Sequence, residues 1–167
     1  REDIFQNRQS FTFQYTFDNT VNSLYGPLDG QALRLSYSVP FRPGGNQRHV
    51  YVAGAEYRFY HLFDDFSLFA FRALAARVSG PDAELYPLSV GGYYTIRGYP
   101  FLEFEGRNAF VINLEYRFTF IHQLLFGAPF RWSPGLIRGA IFFDAGAAFD
   151  DHRRFQAFDG DVGVTRD

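Results

Sequence analysis

Several features that mark common protein classes are missing from this chain of 167 residues. It has no cysteine, which excludes disulfide bonds and thiolate metal sites. It has no lysine, and its net charge of -2 gives it none of the basic field that a nucleic-acid-binding protein usually shows. No apolar run reaches the roughly 18 residues that a transmembrane helix needs. The length still allows one domain with a core of its own.

The short motifs that carry catalysis are missing as well. There is no nucleophile elbow, no glycine-rich dinucleotide loop, no phosphate-binding loop and no His-Glu-x-x-His zinc motif. The four histidines, His49, His61, His122 and His152, are scattered and have no second ligand at helical or strand spacing. We therefore expect a protein that is not an enzyme, binds no metal and needs no cofactor.

Aromatic residues are what the chain has in excess. It carries 22 Phe and 11 Tyr against a single Trp, yet its mean hydropathy is slightly negative. A chain that is rich in aromatics without being hydrophobic overall must mix apolar with polar residues. Alternation of the two along the chain is typical of β-strands with one dry face.

Six segments alternate in this way, at about 10–18, 33–41, 49–60, 66–78, 108–120 and 137–149. The clearest runs from Asn108 to Phe120, where apolar residues at even positions oppose polar residues at odd positions from Asn113 onward. In 66–78 both faces are largely apolar, so the pattern does not decide which face is which. Gly160 to Asp167 begins a further strand, and no segment shows helical periodicity.

The length and charge of these segments favour a membrane barrel. Several reach about ten residues, which is long for a soluble sheet and is the length that a membrane-spanning strand requires. The polar faces carry charges that a dry core would rarely hold without partners. These charged residues are Glu56, Arg58, Glu115, Arg117, Arg138 and Asp144. We therefore predict an all-β fold, an antiparallel transmembrane β-barrel with a water-filled or loop-plugged lumen; the pattern is also that of a soluble sandwich or ligand-binding barrel.

The alternation stops between Pro81 and Arg107. A connection of this length is usually either functional or disordered. This one is rich in aromatics, in which disordered segments are poor. We therefore predict an ordered loop at about 81–107 with Arg97 isolated near its centre. For an Arg-Gly in a loop, taken alone, a solvated arginine on an ordered surface loop is the usual explanation of Arg97.

Three motifs in order resemble the C-terminal half of the barrel of the BamA/TamA superfamily. This superfamily comprises outer-membrane assembly and translocation barrels and includes the two-partner secretion transporters. The motifs are Ile96-Arg97-Gly98-Tyr99 in the long loop, Asn113-Leu114-Glu115-Tyr116-Arg117-Phe118 in the next strand, and Phe143-Asp144-Ala145-Gly146 in the strand after it. Upstream, Tyr15 to Thr20 with Pro27-Leu28-Asp29-Gly30 is similar to a strand and turn of the family. The resemblance thus covers nearly the whole chain.

The resemblance implies a role for the arginine. In that family the motif loop folds back into the barrel lumen, and its arginine pairs with acidic residues of the two following strands. Carried over by motif, these residues are Arg97, Glu115 and Asp144, with Gly98 letting the backbone approach the wall and Tyr99 packing beside it. The alternation pattern independently places Glu115 and Asp144 on the polar face of their strands.

Two further acidic residues, Glu103 and Glu105, directly follow the motif. Their position suggests that they contact lumen arginines such as Arg117 or Arg138. We therefore expect these four residues to extend the charged network on the inner wall.

The resemblance also implies where the protein acts. We expect a bacterial outer-membrane barrel that inserts or translocates unfolded or β-rich client polypeptides, in contact with outer-membrane lipid and accessory lipoproteins, and with no nucleic acid. Barrels of this family have about sixteen strands, so residues 1–167 are expected to form one partial barrel of about six or seven strands, without the remaining strands and the periplasmic or other N-terminal domains. Two alternatives stay open. The barrel is an anchor or secretion pore for a fused N-terminal domain, or it is a β-barrel that binds a small ligand.

Overall fold

The computed structural model of the chain describes residues 10–24, 26–41, 49–121 and 137–150. This part consists of β-strands and one 3-10 helix, Ala83–Leu85, with no α-helix. The strands are β1 Ser10–Asp18, β2 Val21–Ser23, β3 Gly26–Pro40, β4 Tyr51–Asp64, β5 Ser67–Ser79, β6 Leu88–Val90, β7 Phe104–Gly106, β8 Asn108–Ile121 and β9 Ile137–Phe149. None of the described helical residues forms a segment long and apolar enough to cross a membrane.

Six long strands pair in chain order as β1-β3-β4-β5-β8-β9, every pair antiparallel, and the short β2 pairs with β3 to complete a 7-stranded sheet. Strands β6 and β7 form a separate 2-stranded sheet between β5 and β8. In the described part of the chain the large sheet does not close on itself, because β1 and β9 are its edges. The fold is therefore a partial antiparallel barrel, which confirms the predicted all-β class.

The pairing register decides which face of each strand is polar. Arg58 lies opposite Arg72, Arg72 opposite Asn113, and Asn113 opposite Asp144. Residues that lie directly opposite each other in an antiparallel sheet point to the same side. These four side chains therefore form one row across β4, β5, β8 and β9, and we call their side of the sheet the polar face. The row settles the orientation of β5, which the sequence pattern left undecided.

The opposite side, the apolar face, presents large side chains that are exposed. Phe13 is 67% exposed, Tyr15 is 59% exposed and Phe143 is 61% exposed. Burying a phenylalanine side chain is worth about 1.5–3 kcal/mol, so a row of exposed aromatics is unfavourable in water. Exposure of these aromatic side chains is favourable in an apolar environment such as lipid.

Two strand boundaries differ by more than two residues from those predicted. Strand β3 begins at Gly26, well before the predicted start at residue 33, because residues of the preceding segment pair back on β2. Gly30 adopts φ +101, and a Cβ there would lie 2.6 Å from the backbone oxygen of Asn19, so glycine is needed within the strand. Strand β4 continues past Tyr60 to Asp64, since Asp64 still pairs with Ser67 across a bulge. The strand predicted at 160–167 lies outside the described residues.

The segment between β5 and β8 is an ordered structure that packs on the polar face; we call residues 81–107 the motif loop. Its β6–β7 hairpin was not predicted, because strands of three residues are too short to show alternation. Val90 and Ile96 of the loop pack against Ala109 and Val111 of β8, and Val111 is 0% exposed. A second cluster joins Ala83 of the loop to residues at the same end of the sheet, Val50 and Val78. The core therefore lies between the loop and the wall.

Candidate functional site

Arg97 lies where the motif loop meets β8 and β9. Its guanidinium binds Asp144 with two hydrogen bonds, from Nε to Oδ2 at 2.7 Å and from Nη2 to Oδ1 at 2.8 Å. Its Nη1 donates to Oε2 of Glu115 at 3.1 Å. The planar fork of arginine suits this task, because it presents donors to two carboxylates at once. The structure thus brings together the three residues that the motifs indicate.

Asp144 is the most enclosed member of this group, with a side chain that is 3% exposed. It also accepts a hydrogen bond from the backbone N–H of Arg97 at 3.0 Å and one from Nδ2 of Asn113 at 2.8 Å. Four donors therefore reach one carboxylate. A buried carboxylate needs such partners, since an unpaired charge in a site with little water is costly.

Glu115 is shared between two arginines. It accepts from Arg97 and, through Oε1, from Nε of Arg117 at 2.6 Å. Hydrogen bonds to Asp144 raise the pKa of the Arg97 guanidinium further above its ordinary value, so Arg97 stays charged at any physiological pH. The ring of Phe142 lies under the guanidinium, with Cζ of Arg97 3.7 Å from the ring centroid. This is the stacked geometry of a cation–π contact.

The loop residues that precede Arg97 are held through their main chain. The carbonyl oxygen of Tyr94 accepts from Nη1 of Arg72 at 2.8 Å, and the carbonyl oxygen of Thr95 accepts from Nδ2 of Asn113 at 2.7 Å. The Oδ1 atom of Asn113 is buried and has no hydrogen-bond partner among the described residues. Arg72 and Asn113 are therefore part of the site, although neither is an acidic partner of the arginine.

Ile96 is directed into the wall beside Arg97. It is 3% exposed, and its Cδ1 would lie 3.0 Å from a Cβ placed on Gly146 of β9. The same Cβ would lie 2.6 Å from the backbone oxygen of Phe110 in β8, so glycine after Phe143-Asp144-Ala145 leaves room first for the neighbouring strand and then for the isoleucine.

The expectation for Gly98 is wrong. A Cβ placed there would have nothing within 4 Å, so this glycine is not needed for a close approach to the wall. Its φ of +93 is the actual requirement, because that backbone region strongly favours glycine. Tyr99 is about half exposed, and its ring packs edge-on against Phe104 of the loop at a centroid distance of 5.1 Å.

Of the other predicted charges, Arg117 contacts the centre through Glu115, whereas Glu103 and Glu105 are directed elsewhere. Glu103 and Glu105 are exposed, and Oε1 of Glu105 accepts a 3.5 Å hydrogen bond from Ser89. Within the ranges that the structure describes, neither glutamate is brought to Arg117, which pairs with Glu115 instead. Arg138 lies at the opposite end of β9 from the loop. The wider network of these four residues stays a prediction.

A second charged cluster lies next to the site on the polar face. Oε1 of Glu56 accepts from Nε of Arg72 at 2.7 Å and from Nη2 of Arg58 at 2.7 Å, and Arg34 is 4.0 Å away. One carboxylate therefore faces three arginines. In the described part of the chain, no group of three or more metal-binding side chains is placed to hold an ion.

Sequence reasoning missed Arg72, Asn113 and Phe142. All three lie on the polar face, but alternation leaves β5 undecided, and a phenylalanine among polar residues gives no sign that it will stack on an arginine. Asn113 lies two residues before Glu115 in the same motif. The alternation therefore predicts that it shares the polar face with Glu115, but not that it binds the loop.

Comparison with known proteins places the chain in a family. A family model for the Omp85 superfamily domain matches residues 1–165. A search of curated proteins gave no match. The family match covers nearly the whole chain, including all three motifs, and agrees with the open antiparallel sheet. The chain belongs to the Omp85 superfamily.

Proposed function

We propose that this chain forms part of the wall of an outer-membrane barrel that inserts or translocates β-rich polypeptides, with the motif loop docked in the lumen. At the level of the family, Omp85 proteins are outer-membrane proteins involved in insertion or translocation of proteins. The finer statement, that this chain acts on β-rich clients and uses the loop to do so, is the proposal. Outer-membrane lipid, client polypeptides and accessory lipoproteins are its proposed partners, and it acts by binding and not by catalysis.

The contact of Arg97 with Asp144 and Glu115 is the observation that carries the proposal. It joins one loop residue to two neighbouring strands through a largely enclosed ion pair. Removing one partner of a buried pair costs about 3–5 kcal/mol, so the docked arrangement depends on the presence of all three side chains. A surface connection would have no need of such an arrangement.

The exposed apolar face supports a membrane location. Its aromatics would be unfavourable in water, whereas the charged row is on the other side. A small-ligand barrel in solution would have the reverse arrangement, with its apolar residues inside. Detergent dependence tests this alternative, because a soluble ligand-binding barrel stays monomeric without detergent. The anchor or secretion-pore alternative differs in the domain attached to the barrel.

The docked loop determines which part of the wall stays closed. It bonds to Arg72 on β5, to Asn113 and Glu115 on β8, and to Asp144 on β9. Separating any two of these strands would break loop contacts as well as ladder hydrogen bonds. The loop therefore keeps this sector of the wall together, and a client strand must enter elsewhere.

A charge-reversal experiment in the intact protein tests the proposal. Arg97→Glu places a third carboxylate beside Asp144 and Glu115 and should abolish the heat-modifiable folded form on gels together with client insertion. Adding Asp144→Arg restores opposite charges and should recover part of both. Arg34→Glu is the control, because Arg34 lies on the same face but faces Glu56 of the wall. Normal folding and insertion by Arg97→Glu would show that the loop is an exposed connection and would overturn the proposal.

A further inference from the structure

The wall binds the residues just before Arg97 through their backbone atoms and not through their side chains. Arg72 and Asn113 bind the carbonyl oxygens of Tyr94 and Thr95, and Asp144 binds the backbone N–H of Arg97. The rings of Tyr93 and Tyr94 remain 79% and 80% exposed. The wall therefore fixes the path of the loop backbone through main-chain atoms, in addition to binding the arginine side chain.

The three capturing residues occupy one row of the sheet. Arg72 on β5 lies opposite Asn113 on β8, and Asn113 lies opposite Asp144 on β9. Successive strands of a sheet are about 4.8 Å apart, which suits a loop backbone that crosses three strands and gives one bond to each. The bonds of this row depend on the relative positions of the strands, because a slip of one strand would take its donor or acceptor out of reach of the loop backbone.

Arg72 is itself held from the other side. Its Nε donates to Glu56 of β4 at 2.7 Å while its Nη1 donates to Tyr94 at 2.8 Å. The Glu56 side chain is 13% exposed and also binds Arg58. One guanidinium thus connects β4, β5 and the loop. A lysine has a single ammonium on a flexible stem and cannot hold two acceptors in this fixed geometry.

We propose that Arg72 is a positioning residue that couples β4 to the docked state of the motif loop through Glu56. The inference rests on the proposed function, since it concerns a loop that is docked. When β4 is in register, Glu56 orients the Arg72 fork and the Tyr94 carbonyl is bound. When β4 shifts, Glu56 moves with it, Arg72 turns away, and the loop loses its bond to β5 while Arg97 keeps its own. The loop is thereby sensitive to the β4 side of the barrel as well as to β8 and β9.

Thiol labelling of the loop core provides the test. The chain has no cysteine, and Val90 of the loop is 3% exposed beneath it. A Val90→Cys variant of the intact protein, labelled with a maleimide in membranes, reports how often the loop lifts. Adding Arg72→Ala should raise the labelling rate by about tenfold, the change expected for loss of a hydrogen bond from a charged donor. Glu56→Gln should raise it less, because Arg72 remains.

Two matched variants distinguish a role of Arg72 in positioning the loop from simple neutralisation of the Glu56 charge. Arg58→Ala removes an arginine that binds the same carboxylate from within the wall, and it should leave the labelling rate within about twofold of the starting protein, since Arg72 still pairs with Glu56. Arg72→Lys keeps a positive charge next to Glu56 but lacks the guanidinium that binds Glu56 and Tyr94 together. The labelling rate of this variant should therefore be nearly as high as that of Arg72→Ala. If Arg72 only neutralises Glu56, lysine restores slow labelling, and that result would overturn the inference.

The outcomes distinguish this inference from the proposed function. Asp144→Asn, which weakens the main partner of Arg97 in the folded barrel, serves as the reference for an undocked loop and should give the fastest labelling. Fast labelling with Asp144→Asn, but equal rates for Arg72→Ala and Arg58→Ala, refutes the role of Arg72 alone. Fast labelling of Val90→Cys already in the starting protein refutes loop docking itself. Should Arg72→Ala fail to give the heat-modifiable form, Arg72→Lys and Glu56→Gln carry the comparison.

Discussion

The motif loop rests on two different regions of the polar face. One is apolar and consists of Leu74 of β5 and Ala109 and Val111 of β8, against which Val90 and Ile96 pack. The other is charged and consists of the row that binds residues 94, 95 and 97. We call these the apolar region and the charged region. They meet between Ile96 and Arg97, two adjacent residues that are directed into different surroundings.

The two regions contribute different properties to docking. Apolar burial is non-directional, so the apolar region holds the loop down without fixing where it lies. Hydrogen bonds to ionised groups require their geometry, so the charged region sets the position of the loop to within one residue. The apolar region thus supplies affinity of the loop for the wall, and the charged region determines where on the wall the loop lies. Variants in each region should therefore fail in different ways.

The largest effect is expected from Asp144→Asn, in the charged region. The substitution keeps the shape but leaves Arg97 paired only with Glu115, and it should destabilise loop docking by about 3–5 kcal/mol. Glu115→Gln is the matched comparison and should cost clearly less, because Glu115 accepts one hydrogen bond from Arg97 whereas Asp144 accepts three. Limited proteolysis of the loop in the folded barrel measures both. Equal effects would contradict the assignment of Asp144 as the principal partner.

A smaller effect is expected from Ile96→Ala, in the apolar region. Removing a buried isoleucine side chain to alanine costs about 2–5 kcal/mol, and the lower end applies here because the cluster is small. The loop should lift more often while its docked position is unchanged. The exposed Leu85, on the same loop, is the control, and Leu85→Ala should have no measurable effect on proteolysis. A loop that docks elsewhere after Ile96→Ala would contradict the division between the two regions.

Asn113→Asp tests the register more narrowly. The change is isosteric, but it removes the donors to Thr95 and Asp144 and adds a negative charge next to Asp144. We expect a cost of about 2 kcal/mol, since two hydrogen bonds at about 1 kcal/mol each are lost. Proteolysis of the loop should accelerate accordingly. Asn113→Asp combined with Asp144→Asn should be less harmful than the sum, and strict additivity would show that the two side chains do not interact.

The smallest effect is expected from Gly98→Ala. Space is available at Gly98, so the cost is that of a positive φ, about 1–2 kcal/mol, and Gly98→Asn should cost less. Gly91→Ala is the contrasting variant, because a Cβ there would lie 2.5 Å from the backbone oxygen of Pro100 as well as at φ +128. It should disrupt the loop far more. Equal costs would mean that crowding does not distinguish the two glycines.

The sequence was sufficient for the six long strands, and the reason is periodicity. A long alternating segment such as 108–120 predicts both a β-strand and the residues that lie on its polar face. Alternation alone therefore places Glu115 and Asp144 on the polar faces of their strands. The motif resemblance then added Arg97. Where alternation failed, in β5, the cause is the loop: it covers that face, and Leu74 and Val78 are apolar for this reason.

The remaining parts of the site depend on contacts that no side-chain pattern encodes. Arg72 binds a carbonyl oxygen of Tyr94, and any residue there would offer the same atom. Gly98 was correctly singled out, but for the wrong reason, since a positive φ and a close approach look alike in a sequence. The residue type was therefore informative, whereas the geometry that requires it was not.

An experimental structure of the intact protein in a lipid nanodisc tests loop docking most directly. The guanidinium of Arg97 should lie within hydrogen-bonding distance of both Asp144 and Glu115, as it does at 2.7 and 3.1 Å here, with the loop inside a closed barrel and the aromatics of the apolar face toward lipid. A loop that lies outside the barrel, with Arg97 in solvent and the carboxylates of Asp144 and Glu115 paired with other residues, would contradict it.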